Sequence, residues 1–354
     1  MRITVIGAGV IGLSCAHDLA EDGHEVTVVA DHGPGDTVSA LSAALWFPFA
    51  AEKSPTVDRI LERSLARFAE LAGQASDAEG AGADQVTDDI PPVEMRTGTV
   101  FERATPPDRS WVDPVVAVLG QDAVHPVDGG METTLPMIMM PTYLAWLMDS
   151  CRIAGVRFRW EKVESLAALA DTADAVVVAG GLRGGELLGG DEEVTPIRGQ
   201  VVVLANGYEA DDEDGADGEE DGEDGADPGV APLTRWATDN DHPDGETYVL
   251  PRVDSVVVGG TADVGSWDEE PSAETAEAIL ARAAVLVPET ATLPILGHGV
   301  GLRPGRTTLR VEQVDPTDLP SVGVPVIAAY GHGGSGVTLS WGTAERVVEL
   351  VDGL

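Results

Sequence analysis

Six residues near the amino terminus, Gly7-Ala8-Gly9-Val10-Ile11-Gly12, constrain the fold more than any other feature of the chain. They match G-x-G-x-x-G, and their surroundings make the match informative. Residues 2–6 are a short apolar run readable as a buried strand, and residues 10–22 carry helical spacing with Ile11, Cys15 and Leu19 on one face. Gly23 ends that helix, and Glu25–Val29 is a second strand closing on Asp31. In such a βαβ unit the first glycine permits the tight turn, the second lets backbone approach a pyrophosphate, and the third lets helix and strand pack closely. The amino end of the helix then faces the anion. Asp31, 19 residues after Gly12, stands where a carboxylate takes up a ribose hydroxyl. The loop alone leaves NAD and FAD both open.

The carboxyl-terminal segment bears on that choice. Residues 326–338, Val-Ile-Ala-Ala-Tyr-Gly-His-Gly-Gly-Ser-Gly-Val-Thr, again read as strand, glycine loop and helix. A second loop so far along the chain lets the distant end close over a cofactor, with a helix amino terminus facing a flavin edge and its developing negative charge. NAD dehydrogenases need no such closing loop.

Between the loops the chain alternates helical and strand patterns. Asp58 to Leu71 reads as a helix with Ile60, Leu61, Leu65 and Phe68 as its apolar face. Residues 73–92 are rich in Gly, Ala and Asp and read as a solvated insertion or loop. Thr142–Ile153 is a helix, Arg157–Lys162 and Ala175–Ala179 are strands, and the apolar second strand suits the centre of a parallel sheet. Gln200–Leu204, Tyr248–Pro251, Ser255–Gly260 and Val324–Ala329 are further strands, while Ala273–Val287 and Thr338–Val351 are helices.

Charge sets the chain apart. Asp and Glu number 61 against 21 Lys and Arg, a formal net charge of -40, and Lys53 and Lys162 are the only lysines. Such a surface repels nucleic acid and anionic membranes. Molar salt shortens the Debye length to roughly 3 Å and screens the self-repulsion. Excess carboxylate with scarce lysine, spread along the chain, resembles the proteomes of salt-accumulating halophiles. Glu209–Asp227 has 12 carboxylates and no basic residue. It reads as a salt-solvated loop, or more sharply as a calcium site, although its spacing fits no EF-hand. No run of 18 apolar residues and no secretory signal pattern is present, so a cytoplasmic location is expected. Cys15 and Cys151 read as buried small apolar positions and make no disulfide framework.

The stretch Tyr330-Gly331-His332-Gly333-Gly334-Ser335-Gly336-Val337-Thr338, with Trp341-Gly342-Thr343-Ala344 after it, resembles the carboxyl-terminal pattern of the D-amino acid oxidase family. Ala43-Ala44-Leu45-Trp46-Phe47-Pro48 is similar to the family's flavin-side segment, and Lys162–Ser165 to its adenosine-side strand. Ala179-Gly180-Gly181, Arg198-Gly199-Gln200, Tyr248–Pro251, Gly301-Leu302-Arg303-Pro304 and Arg310 also fit. The resemblance covers nearly the whole chain apart from the two acidic insertions.

The resemblance implies a two-domain α/β fold. A Rossmann-like FAD-binding domain would comprise 1–72, 142–199 and 295–354, and a mixed β-sheet substrate domain 73–141 and 200–294, with 209–229 an acidic loop. Besides Gly7 to Gly12, the FAD contacts it implies are Asp31, His32, Thr37, Ser39, Ala43, Ala44, Leu45, Trp46, Val163, Ala179, Gly180 and Arg303. The loop Gly333, Gly334, Ser335, Gly336, Val337 and Thr338 would line the flavin. Arg303 would clamp the substrate α-carboxylate as a planar fork on a planar anion. Tyr248 would donate to the same carboxylate, and the Gly334 carbonyl would accept the amine. His332 invites a catalytic-base reading, but hydride transfer from Cα to flavin N5 requires no side-chain base, and a structural loop role is expected.

The activity so implied is FAD-dependent oxidation of D-amino acids by O2, yielding 2-oxo acids, ammonia and H2O2. Phe47 stands where the family often has Gln, and no aromatic lid residue precedes Tyr248, which puts substrate preference in doubt. Arg235 reads either as the partner of a side-chain carboxylate, as in the related D-aspartate oxidases, or as an arginine answering local acids. The alternatives are D-aspartate oxidase, a glycine- or sarcosine-type amine oxidase, and a non-catalytic flavin sensor. A homodimer is compatible with the sequence.

Overall fold

The computed structural model describes residues 1–80, 91–140, 142–207 and 231–354. Glu209–Asp227, with its calcium alternative, lies outside the described residues.

Two sheets organise the chain. The six-stranded sheet runs in the order Arg310–Gln313, Val326–Tyr330, Ala175–Val178, Arg2–Ile6, Glu25–Ala30, Arg157–Trp160. Every pairing is parallel except that of Arg310–Gln313 with Val326–Tyr330. Buried on both faces, its central strands are nearly pure Val, Ile and Ala. Strand alternation divides them: Ile3, Val5 and Val177 face helices Val10–Glu21, Pro55–Gly80 and Gly336–Asp352, while Val176, Val178 and Ala328 face a second apolar cluster. Each such valine or isoleucine contributes about 1.5–3 kcal/mol on burial.

Strand Arg2–Ile6 lies between Glu25–Ala30 and Ala175–Val178. Chain connections diverge there to opposite sides, which opens a crevice at the carboxyl ends of the strands. The Gly7–Gly12 loop occupies that end.

The nine-stranded sheet runs in the order Asp263–Val264, Thr195–Ala205, Ser255–Gly259, Thr247–Pro251, Trp236–Asp239, Val93–Phe101, Gly130–Ile138, Val124–Val127, with Ile295–Gly305 along the other side of Thr195–Ala205. Helix Ala273–Leu286 packs on it through Ile279 and Ala283 against Val202, Val256 and Val258.

Two segments differ from the sequence expectation, and three elements had none. Residues 73–80 are helical, because the stripe of Leu71, Ala72 and Ala75 keeps the first long helix buried beyond Leu71. Residues 295–305 form a strand that belongs to the nine-stranded sheet and not to the six-stranded one. Four glycines in that strand, at 297, 299, 301 and 305, hide its apolar alternation. Strands Val93–Phe101 and Gly130–Ile138 and helix Val112–Leu119 had no sequence reading. Both cysteines are free and buried.

Candidate active site

The two sheets enclose a cavity of about 740 Å³ that runs from the Gly7–Gly12 loop to Arg303. At its nucleotide end Gly7 has φ +112, and a Cβ there would lie 2.4 Å from the Ala179 carbonyl. A Cβ on Gly12 would lie 2.0 Å from the Gly7 carbonyl, so the turn and the first helix approach as closely as backbone allows. Gly9 precedes the helix and supplies no side-chain cap. Beyond the Val10 amide, which Ser39 takes, the helix amino end can face an anion as a pyrophosphate cradle requires. Ser39 Oγ accepts from the Val10 amide at 3.1 Å.

Asp31 lines the cavity just beyond its strand. Arg183 donates to its carboxylate at 3.2 Å, and His32 Nδ1 lies 2.6 Å from the other oxygen. Arg183 also lines the cavity and was absent from the sequence reading. It comes from 152 residues away, and no local pattern marks it.

The far end is built around Arg303 and Tyr248. Arg303 sits on Ile295–Gly305 opposite Ile197. Its Nη1 donates to the Thr261 carbonyl at 2.8 Å, leaving the rest of the fork for an anion. The guanidinium lies against Gly199, where a Cβ would come within 2.6 Å of Cζ. Tyr248 lies over Gly259 and Gly260 in the same manner, its hydroxyl 2.9 Å from where a Gly260 Cβ would stand. Burial pushes the Tyr248 hydroxyl up to about 12, partly offset by Arg303, so it remains a hydrogen-bond donor. Arg252, close behind Tyr248, donates to the Ser42 carbonyl at 2.7 Å, and burial lowers its pKa.

Glu246 shares this wall. Its Oε1 lies 3.9 Å from Arg303 Nη1. Burial raises its pKa, opposed by Arg303 and Arg282.

The second glycine loop closes the cavity. Thr338 Oγ1 donates to the Phe47 carbonyl at 2.9 Å, and Ser335 Oγ donates to the Phe49 carbonyl at 2.6 Å. His332 is buried with Nε2 3.0 Å from Thr343 Oγ1, and burial lowers its pKa to about 3. Burial so disfavours the charged imidazole, and Thr343 holds its ring in the loop.

Most expected site residues meet here. Gly7 to Ile11, Asp31, His32, Thr37, Ser39, Ala43, Ala44, Leu45, Phe47, Val163, Ala179, Gly180, Tyr248, Arg303, Gly333, Gly334, Gly336, Val337 and Thr338 line the cavity. Four do not. Gly12 packs behind the loop against Gly7. Trp46 is fully buried because its neighbours Ala44 and Leu45 form the wall. Ser335 is turned inward to Phe49. Arg235 is on the surface, ion-paired with Glu132.

Fold and site together define a flavin-dependent oxidoreductase of the two-sheet type. The sequence profile of the family described as FAD dependent oxidoreductase (DAO) matches residues 2–350, and the chain belongs to that family, whose cofactor is FAD. It is 36% identical over 353 residues to a D-amino-acid oxidase of Rubrobacter xylanophilus, covering 99% of this chain and 95% of the relative. It is 33% identical over 353 residues to a D-amino-acid oxidase of Streptomyces coelicolor (99% and 96%). A human D-aspartate oxidase is 29% identical over 361 residues (99% and 94%). The crystal structure of glycine oxidase from Geobacillus kaustophilus shares the fold at TM-score 0.72 and 20% identity, covering 99% of this chain and 95% of that one.

Proposed function

We propose that the chain oxidises D-amino acids with FAD and O2 to imino acids, which hydrolyse to 2-oxo acids and ammonia with release of H2O2. One observation carries this reading: the Arg303 fork and the Tyr248 hydroxyl share a continuous cavity with the Gly7–Gly12 cradle. When bound, FAD supplies at N5 an acceptor for the hydride of the substrate Cα.

The chain itself binds and orients. Arg303 takes the α-carboxylate with two parallel hydrogen bonds, and Tyr248 donates a third. The Gly334 carbonyl accepts from the amine. With those points held, only one hand directs Cα–H at the flavin edge. Ala43 to Leu45, Gly333, Gly334 and Gly336 to Thr338 line the cavity and would hold the flavin and exclude water from it. His332, neutral and engaged by Thr343, moves no proton.

The six-stranded sheet with its helices forms the cofactor domain, close to 1–72, 142–194 and 306–354. The substrate domain holds the nine-stranded sheet, including 195–205 and 295–305. The acidic surplus supports work in the cytoplasm of a salt-accumulating cell, with neither nucleic acid nor membrane as partner, and a homodimer is compatible with it. Among the described residues no helix is long and apolar enough to cross a membrane.

The test is direct. Protein purified in molar salt should be yellow, and an anaerobic D-amino acid should bleach it, while the L enantiomer should not. Peroxide should appear on admitting air. A yellow protein inert to every D-amino acid would favour a flavin-binding sensor, and equal rates with L-amino acids would sink the stereochemical reading.

A further inference from the structure

We propose that the side-chain end of the substrate cavity is built for a cationic nitrogen, so that D-amino acids of the lysine and arginine type are preferred over those with a side-chain carboxylate. This rests on the D-amino acid reading above.

Glu246 carries the argument. Its side chain is nine-tenths buried, it lines the cavity, and Oε1 is buried without a hydrogen-bond partner. A buried carboxylate oxygen left without a donor is costly, and a ligand cation that supplies one is correspondingly favoured. Arg303 at 3.9 Å does not fill that role. Its fork is claimed by the substrate α-carboxylate in the same reading.

A second group lines the same cavity. Ile197 is flanked by Val264 on one side and Arg303 on the other, so segment 263–272 leaves the sheet across strand Thr195–Ala205 from Arg303. Buried Arg198 pins this segment by donating to the carbonyls of Asp268 at 2.9 Å and Glu270 at 2.7 Å. Gln200 exchanges two hydrogen bonds with the backbone of Ser272. So held, the segment lines the cavity with Trp267 and Glu269. Trp267 is 66% exposed and offers an aromatic face to a cation.

Nothing on this wall answers a second carboxylate. Among the described residues, the cationic or titratable bases lining the cavity are Arg303, neutral His332, and the pair His32 and Arg183 at Asp31. Arg282, behind the wall, spends its donors on Thr247 Oγ1 and the carbonyls of Gly260 and Glu246. Arg252 does not line the cavity.

The experiment compares kcat/KM of the yellow holoenzyme for matched substrates. D-lysine should exceed D-norleucine, its analogue without the ammonium, by about tenfold, and D-glutamine should exceed D-glutamate similarly. Glu246→Gln should bring the lysine-to-norleucine ratio close to one, chiefly through the lysine KM. Trp267→Leu, on an exposed side chain that leaves the core intact, should lower the same ratio. A wild-type preference for D-norleucine or D-glutamate overturns the inference, as does an unmoved ratio in a Glu246→Gln enzyme of native Tm. Turnover of D-norleucine with no gain from the ammonium overturns only this inference. Failure of every D-amino acid to bleach the flavin overturns the oxidase reading and this inference with it.

Discussion

Thr338 Oγ1 donates to the carbonyl of Phe47 at 2.9 Å and stands 3.3 Å from the Phe47 amide, tying the last helix to a segment 291 residues earlier. Thr338→Val removes both bonds and leaves two backbone groups of Phe47 without them. A neutral hydrogen bond contributes about 0.5–1.5 kcal/mol. The flavin-side wall should therefore loosen, and FAD affinity should fall by about tenfold in a flavin-fluorescence titration. Thr338→Ser keeps the hydroxyl and should bind FAD nearly as wild type. Equal affinity in the valine variant would show that the tie does not shape the cofactor site.

Gly199 tests the placement of Arg303. A methyl group at 199 would stand 2.6 Å from the guanidinium carbon, so alanine must displace the fork. Gly199 lies in strand Thr195–Ala205, where alanine strains no backbone. The Gly199→Ala enzyme should remain yellow. Its KM for D-amino acids should rise by about tenfold or more, since misplacement by an ångström is costly at an oriented site. Flavin content and KM both unchanged would remove Arg303 from carboxylate binding.

His332 predicts the acid limb of stability. Burial lowers its pKa from an ordinary 6.5 to about 3, so between these values the unfolded chain binds the extra proton. Its contribution is therefore fully present above about pH 6.5 and is lost progressively as pH falls toward 3. His332→Gln keeps a polar group near Thr343 and abolishes that titration. Between about pH 7 and about pH 5, at fixed high salt, Tm of the variant should fall less steeply than that of wild type. Parallel curves would mean that the imidazole is already charged in the folded protein.

Legibility in the sequence followed the range of the interactions. Gly7–Gly12 could be read because strand, turn and helix are contiguous and each glycine answers a local steric demand, now visible as the 2.0 Å and 2.4 Å approaches at Gly12 and Gly7. The roles of Arg303 and Tyr248 come through resemblance and not through spacing, whereas the 331–338 loop shows, like the first, as a contiguous strand, glycine turn and helix. What escaped was assembled across the chain. Arg183 meets Asp31, Arg198 holds the segment carrying Trp267, and Glu246 faces Arg303 only because strands far apart in the chain are brought together in the folded sheets. Strand 295–305 escaped because glycines occupy the positions that would otherwise show period two.

Arg235 is a plausible residue type that the fold turns outward, where it answers a local acid. Its side chain is 55% exposed and pairs with Glu132, itself 34% exposed. An ion pair so placed contributes about 0–1 kcal/mol and touches no part of the cavity. Arg235→Ala should thus leave kcat/KM for D-aspartate, relative to D-methionine, within about twofold of wild type, and Tm within a few degrees in molar salt. A selective loss of D-aspartate turnover would return Arg235 to the substrate site, and would require strand Trp236–Asp239 to carry it some way toward Tyr248, against which that strand is paired at Thr238.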